Sequence, residues 1–282
     1  MKTRTTVPHL RRLKQRGDRI VMLTCYDYAT ALLIDGAGVD VVLVGDSVGT
    51  TVLGHETTIP VTMDDMVRHT RAVRRGLTRP LLVADLPFLS YQVGPEDALR
   101  NAGRLVQEGG AEAVKLEGGL AVVPAVERIV AAGIPVMGHL GLTPQSVHAF
   151  GGYRVQGRDE ASLERLLADA AALAEAGVFA LVLELVHAET ARQVTAAAPV
   201  PTIGIGSGPH CDGQVQVVHD ILGLFPGQAF RHAARYAEVG ELIQGCVTRY
   251  AADVRSGRFP AAPHSVGMDE AAAEAQPPGS AK

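Results

Sequence analysis

VDVVLVGDS, residues 39–47, decides the reading of this chain. Its apolar run is nearly continuous and does not alternate, which is how a strand buried on both faces of a parallel sheet reads. The run stops at Asp46 and Ser47. Four further runs are built the same way: PLLVA before Asp85, AVKLE ending in Glu117 with Lys115 ahead of it, IPVMG before His139, and LVL before Glu184. Chemistry-bearing side chains at the C-terminal ends of successive parallel strands are the layout of a (β/α)8-barrel active site.

Outward from these runs, strand candidates fall at 20–24, 39–45, 79–84, 112–117, 134–139, 178–184 and 200–206, with an eighth near 215–222. Helical stretches separate them. Thr62 with Asp65 three residues on is a capping box for a helix over 63–76. Pro95 opens the next helix and Gly109–Gly110 closes it. Over 160–176, Leu163, Leu166, Leu167, Ala170, Leu173 and Ala174 share one face at a 3.6-residue period, and Gly177 ends the helix. Regular strand–helix alternation predicts an α/β protein, a closed (β/α)8 TIM barrel, with a doubly wound open sheet as the alternative. The expected organisation is one catalytic domain over 1–260 that includes a short basic helix near 9–16. A disordered tail over 261–282, poor in large apolar residues, follows it.

Composition narrows the function. With 282 residues, 47% of them hydrophobic and none of them Trp, the chain can fill one large aliphatic core. A net charge of −4 argues against nucleic acid as a partner. No apolar run approaches the ~18 residues of a membrane span, and the basic N-terminus lacks the apolar core of a secretory signal. Cys25, Cys211 and Cys246 are odd in number and irregular in spacing, so no disulfide framework is expected and the cytoplasm is the expected compartment. Cys25 reads as a small buried side chain rather than a nucleophile.

Asp46, Asp85 and Glu117 are hard oxygen donors on consecutive strand ends, and a thiolate-free oxygen set suits Mg²⁺. A single acid of this kind often caps a helix or pairs with a surface lysine. Three together would repel one another without a cation. Lys115 lies two residues before Glu117, so both side chains face the same way; the lysine either neutralises the acids or binds an anionic substrate. Glu184 reads as a general base in an apolar surround, or as a buried acid paired with a neighbour such as His187. His139 supports a charge-gaining oxygen or satisfies a loop carbonyl, and Ser47 is a binding hydroxyl. Two long connections, 46–62 and 140–160, follow strand ends on the same rim and read as binding loops or lids. Gly204, Gly206 and Gly208 in IGIGSG lack the spacing of a dinucleotide fingerprint and mark close backbone approach.

TCYDY (24–28), VGDSVG (44–49), TTIPVTMDDM (57–66), VADLPF (83–88), VKLEGG (114–119), GHLGLTPQSV (138–147), FGGYRVQGR (150–158), LVLE (181–184) and IGIGSG (203–208) together resemble the ketopantoate hydroxymethyltransferase family, in order from about residue 3 to residue 260. The resemblance implies a barrel of the phosphoenolpyruvate/pyruvate type working in pantothenate biosynthesis. It implies transfer of a one-carbon unit from 5,10-methylenetetrahydrofolate to 3-methyl-2-oxobutanoate, giving 2-dehydropantoate and tetrahydrofolate. It also implies Mg²⁺ at Asp46, Asp85 and Glu117, keto acid at Asp46, Ser47, Asp85 and Lys115, and Glu184 as the catalytic base. Family members are decamers, so a homo-oligomer is expected. LELVHAE, Ser207 and FRHAARY (230–236) depart from the family pattern without touching an expected ligand. The rivals are a carbon–carbon lyase or mutase of the isocitrate-lyase kind, whose KKCGH-like cysteine motif is not found here, and a non-catalytic metabolite sensor.

Overall fold

Eight parallel strands close on themselves in sequence order, β1 pairing with both β2 and β8. The computed structural model describes residues 4–225 and 232–266. The strands are β1 Ile20–Thr24, β2 Val41–Val44, β3 Leu81–Asp85, β4 Ala113–Glu117, β5 Val136–Gly141, β6 Ala180–Glu184, β7 Thr202–Ile205 and β8 Gly213–Gln216. β3, β4 and β6 end on the expected acids. The eighth strand lies earlier than 215–222, because Val218 to Ile221 turn helical. A glycine opens β8 for a steric reason: a Cβ at Gly213 would collide with Ile20 across the β1–β8 seam. The apolar run Val215–Val218 therefore marks the end of the strand and not its start.

The described residues fall into two compact units, one of 4–218 with 232–233, the other of 219–225 with 234–266. The first holds the barrel. Its core is made by alternate strand positions, as a period of two requires: Ile20, Met22, Val41, Leu43, Leu81, Val83, Ala113, Met137, Val182, Ile203 and Val215 form one buried cluster. Leu10 and Leu13 join that cluster from the helix Val7–Arg16. The helix starts with Pro8 in its first turn and ends at Gly17, whose left-handed backbone (φ 73°) sends its N–H back to Leu13 and Lys14.

Outside the barrel wall the expected caps are present. Thr62 and Asp65 bond each other's backbone in a capping box at the helix Met63–Gly76. Pro95 opens the helix Pro95–Gln107, and Gly177 (φ 97°) follows the helix Glu160–Glu175. In the second unit the helix Val239–Arg255 is followed by a short 3-10 turn, Ala262–His264, with Phe259 edge-on to Tyr250 at 5.6 Å. The expected tail thus begins with ordered residues, and its part from 267 on lies outside the described residues. No helix among the described residues is long and apolar enough to cross a membrane.

Candidate active site

The core stripe runs straight into the chemistry. Counting by twos, Leu81 and Val83 lead to Asp85; Ala113 leads to Lys115 and Glu117; Met137 leads to His139; Val182 leads to Glu184. Register then sets neighbours side by side, Asp85 opposite Lys115 and Glu117 opposite His139. Asp46, Asp85, Lys115, Glu117 and His139 are all buried.

Contacts link these groups into one cluster. The Asp46 N–H donates to Asp85 Oδ2 at 3.1 Å. Lys115 Nζ lies 2.9 Å from Asp85 Oδ1, an ion pair outside good hydrogen-bond alignment, and 3.1 Å from His139 Nδ1. His139 stands between two carboxylates, with Nδ1 3.4 Å from Glu117 Oε1 and Nε2 3.3 Å from Glu184 Oε2. Nδ1 serves one partner at a time: protonated it faces Glu117, unprotonated it accepts from Lys115. Glu184 therefore meets His139 and not His187, whose backbone N–H instead bonds the Gln156 carbonyl. Glu184 keeps 21% of its side chain exposed, open to a substrate.

Asp46 arrives by a different route. By strand parity it would follow Val42 and Val44, away from the core stripe. β2 ends at Val44, and a helical turn, Val48–Thr51, starts almost at once, re-aiming the segment. Gly45 permits this crowding, since a Cβ there would sit 2.7 Å from Ser47 Oγ. Ser47 Oγ shares a 2.8 Å hydrogen bond with the Tyr26 hydroxyl.

Charge is out of balance. Four carboxylates (Asp46, Asp85, Glu117 and Glu184) face two cations, Lys115 and His139. Burial, then the Asp85 and Glu117 charges, push the Asp46 carboxyl up to about 8. Burial also raises Asp85, with Lys115 opposing. For Lys115, burial pulls downward, but Asp85, Glu117 and Asp46 outweigh it and hold the ammonium above its usual range. His139 reaches about 9: burial and Lys115 lower it, and the close Glu117 and Glu184 carboxylates more than compensate. A set of oxygen donors richer in carboxylates than in cations, with Asp46 and Asp85 both costly to ionise without a further positive charge, fits a hard divalent cation. Among the described residues no group of three or more His, Cys, Asp or Glu side chains is arranged to hold a metal unaided. That is compatible with Mg²⁺, which commonly uses one or two carboxylates and completes its shell with water and substrate.

Residues that sequence reasoning missed complete the cluster. Gln145, in the loop after β5, donates from Nε2 to Asp46 Oδ2 (2.8 Å) and the Leu86 carbonyl (3.0 Å), and from its backbone N–H to Glu117 Oε2 (3.0 Å). Its Oε1 accepts from the Tyr91 hydroxyl at 2.8 Å. Both lie in or beside quoted motifs, but only their polarity in an otherwise apolar rim could have singled them out. Beyond Glu184 the backbone is strained: Leu185 has φ 45°, unusual for a branched side chain. Buried Ser207 pins that turn, accepting from the Val186 N–H (3.0 Å) and donating to the Leu183 carbonyl (2.7 Å). Gly141 (φ 91°) lies against the Glu184 carbonyl, and Leu142 N–H bonds that same carbonyl at 2.8 Å.

A closed parallel barrel with buried charges gathered at the C-terminal strand ends defines a (β/α)8-barrel enzyme. The chain belongs to the ketopantoate hydroxymethyltransferase family, whose model matches residues 4–262, and is a transferase. The 3-methyl-2-oxobutanoate hydroxymethyltransferase of Moorella thermoacetica is 60% identical over 264 residues, covering 94% of this chain and 98% of that protein. Its namesake from Roseiflexus sp. is 57% identical over 268 residues, covering 95% and 96%. Among solved structures, 2,3-dimethylmalate lyase, a PEP mutase/isocitrate lyase superfamily member, shares the fold with a TM-score of 0.57 at 19% identity, covering 94% of this chain and 90% of that one. Phosphonopyruvate hydrolase in complex with oxalate and Mg²⁺ shares it with a TM-score of 0.58 at 13% identity, covering 92% and 93%.

Proposed function

We propose that this enzyme transfers a hydroxymethyl group from 5,10-methylenetetrahydrofolate to 3-methyl-2-oxobutanoate, in the cytoplasm, as a step of pantothenate biosynthesis. The observation that supports this reading best is Glu184, part-exposed at the end of β6 and 3.3 Å from an imidazole that ties it to the buried acids. Asp46, Asp85 and Glu117 would hold Mg²⁺, directly or through water. Bound Mg²⁺ would supply Lewis acidity, drawing charge from the keto and carboxylate oxygens of the substrate.

The chain's own groups do the rest. Lys115 and Ser47 hold the keto acid's oxygens, and Lys115 offsets charge developing there. Glu184 takes the C3 proton as general base, with His139 fixing its orientation from Nε2. The carbon left electron-rich bonds to the methylene carbon of the folate. Both C–N bonds of the methylene bridge break: water gives its oxygen to that carbon as the hydroxyl, and its remaining proton and the C3 proton end on the two nitrogens of tetrahydrofolate. Three cysteines, all free, fit a reducing compartment. Exposed Tyr28, Leu32 and Leu33 on the helix Tyr28–Asp35 offer an apolar surface suited to a homo-oligomer, a decamer by family resemblance.

The deciding assay follows tetrahydrofolate and 2-dehydropantoate formed from the two substrates with Mg²⁺. Cleavage of a 2-keto acid without folate consumption would favour instead a lyase of the kind whose fold the barrel shares.

A further inference from the structure

Gln145 is 5% exposed and every polar atom of its side chain is engaged. A carboxylate and a carbonyl can only accept, so the amide nitrogen must face Asp46 and Leu86. Its oxygen faces Tyr91, and also Gln92 Nε2 at 3.3 Å. Tyr91 is itself buried and accepts from the Glu117 N–H at 3.2 Å, so its single proton is shared between Gln145 Oε1 and the Glu117 carbonyl at 3.0 Å. One residue of the β5 loop thus bonds Asp46 beyond β2 and Glu117 at the end of β4. In addition it reaches the chain just past β3. A fully satisfied buried network of this kind rigidifies what it touches.

We propose that Gln145 is a positioning residue, holding the Asp46 and Glu117 carboxylates in orientation and coupling the seating of the loop 142–158 to cation binding at the acid cluster. This rests on the reading of Asp46, Asp85 and Glu117 as a Mg²⁺ site. Each carboxylate commits one oxygen to Gln145, so neither can swing without breaking a bond to the loop. Outer partners that orient metal-binding carboxylates typically account for about 10–100-fold in metal affinity. The coupling is reciprocal, since what steadies the carboxylates for the cation steadies the loop when the cation binds.

The loop carries its own reporters, exposed Arg154 and Arg158, at which trypsin cuts. Mg²⁺ alone is titrated calorimetrically into the full-length protein, and trypsin cleavage at those two arginines is timed with and without metal. In the wild type, Mg²⁺ is expected to slow cleavage. Gln145→Leu, similar in size, keeps the backbone N–H bond to Glu117 but loses the side-chain bonds to Asp46, Leu86 and Tyr91. It should bind Mg²⁺ about tenfold or more weaker and stay as cleavable at saturating metal as without it. Tyr91→Phe removes the hydroxyl's contacts with Gln145 and the Glu117 backbone, keeps the shape and leaves the Gln145 bonds to Asp46 and Leu86 in place, and should shift both readouts the same way by less. It decides the matter if the leucine variant does not fold. Unchanged Mg²⁺ affinity in folded variants overturns the proposal, as does a wild type whose cleavage ignores Mg²⁺. Asp46→Ala separates the two readings. If it loses Mg²⁺ while Gln145→Leu does not, only this inference falls; if it too binds normally, the metal site falls with it.

Discussion

Lys115 Nζ lies 2.9 Å from Asp85 Oδ1, both side chains almost wholly buried, on residues that stand opposite each other in the β3–β4 register. The pairing follows directly from strand geometry, and it is the part of the site most dependent on mutual neutralisation. Truncating one partner of a buried pair leaves an uncompensated charge, which costs about 3–5 kcal/mol.

Lys115→Met should therefore lower unfolding stability in urea by about that amount. Lys115→Met with Asp85→Asn should recover a substantial part of the loss. A single variant as stable as the wild type would mean the pair is solvated in practice.

Glu184→Gln should abolish exchange of the C3 hydrogen of 3-methyl-2-oxobutanoate with D₂O, by about 10²–10⁴-fold, the usual contribution of a positioned base. NMR of the keto acid in D₂O with Mg²⁺ reads this without folate. Exchange at the wild-type rate would assign proton removal elsewhere.

Asp46→Ala and Asp85→Ala should each weaken Mg²⁺ binding severely, seen by direct titration of the substrate-free protein. Asp46→Ala also removes one of the two bonds donated by the Gln145 amide, so its loop should become easier to cleave. Normal titrations in both would remove these carboxylates from the metal site.

Cys25 offers a pH-dependent test away from the acids. Burial pushes its thiol from 9.0 up to about 11. A raised folded-state value means its contribution to stability is full below pH 9 and lost as pH climbs through 11. Native protein should therefore show Cys246, which is exposed, reacting quickly with a thiol reagent at pH 8, while Cys25 and Cys211 stay silent until unfolding. Fast labelling of Cys25 at pH 8 would contradict this. Cys25→Ala should also flatten the loss of melting temperature between pH 9 and 11.

Much of this was legible in the residues. Parallel strands buried on both faces carry apolar runs, and their alternate positions lead from Val83 to Asp85, from Ala113 to Lys115 and Glu117, and from Val182 to Glu184. Asp46 was picked out by type and position, but its aim was not readable, because the turn after Val44 overrides parity. The partner of Glu184 was also hidden. His187 is near in sequence, whereas His139 is near because β5 lies beside β6 in the sheet. Gln145 and Tyr91 escaped for a related reason: their importance lies in bonds to chain segments up to 99 residues away. The eighth strand begins ahead of its apolar residues, at Gly213, which carries no side chain to mark the seam.

Gly141 has no chemistry of its own, yet it is squeezed against the carbonyl of the proposed base. Any side chain there would wedge β6 outward and drag the Glu184 carboxylate off its target while leaving every reactive group intact. Inherited variation at this spot would surface as a dead enzyme with a complete set of active-site residues, easily misfiled as harmless. The address of a fault and the address of the function need not coincide.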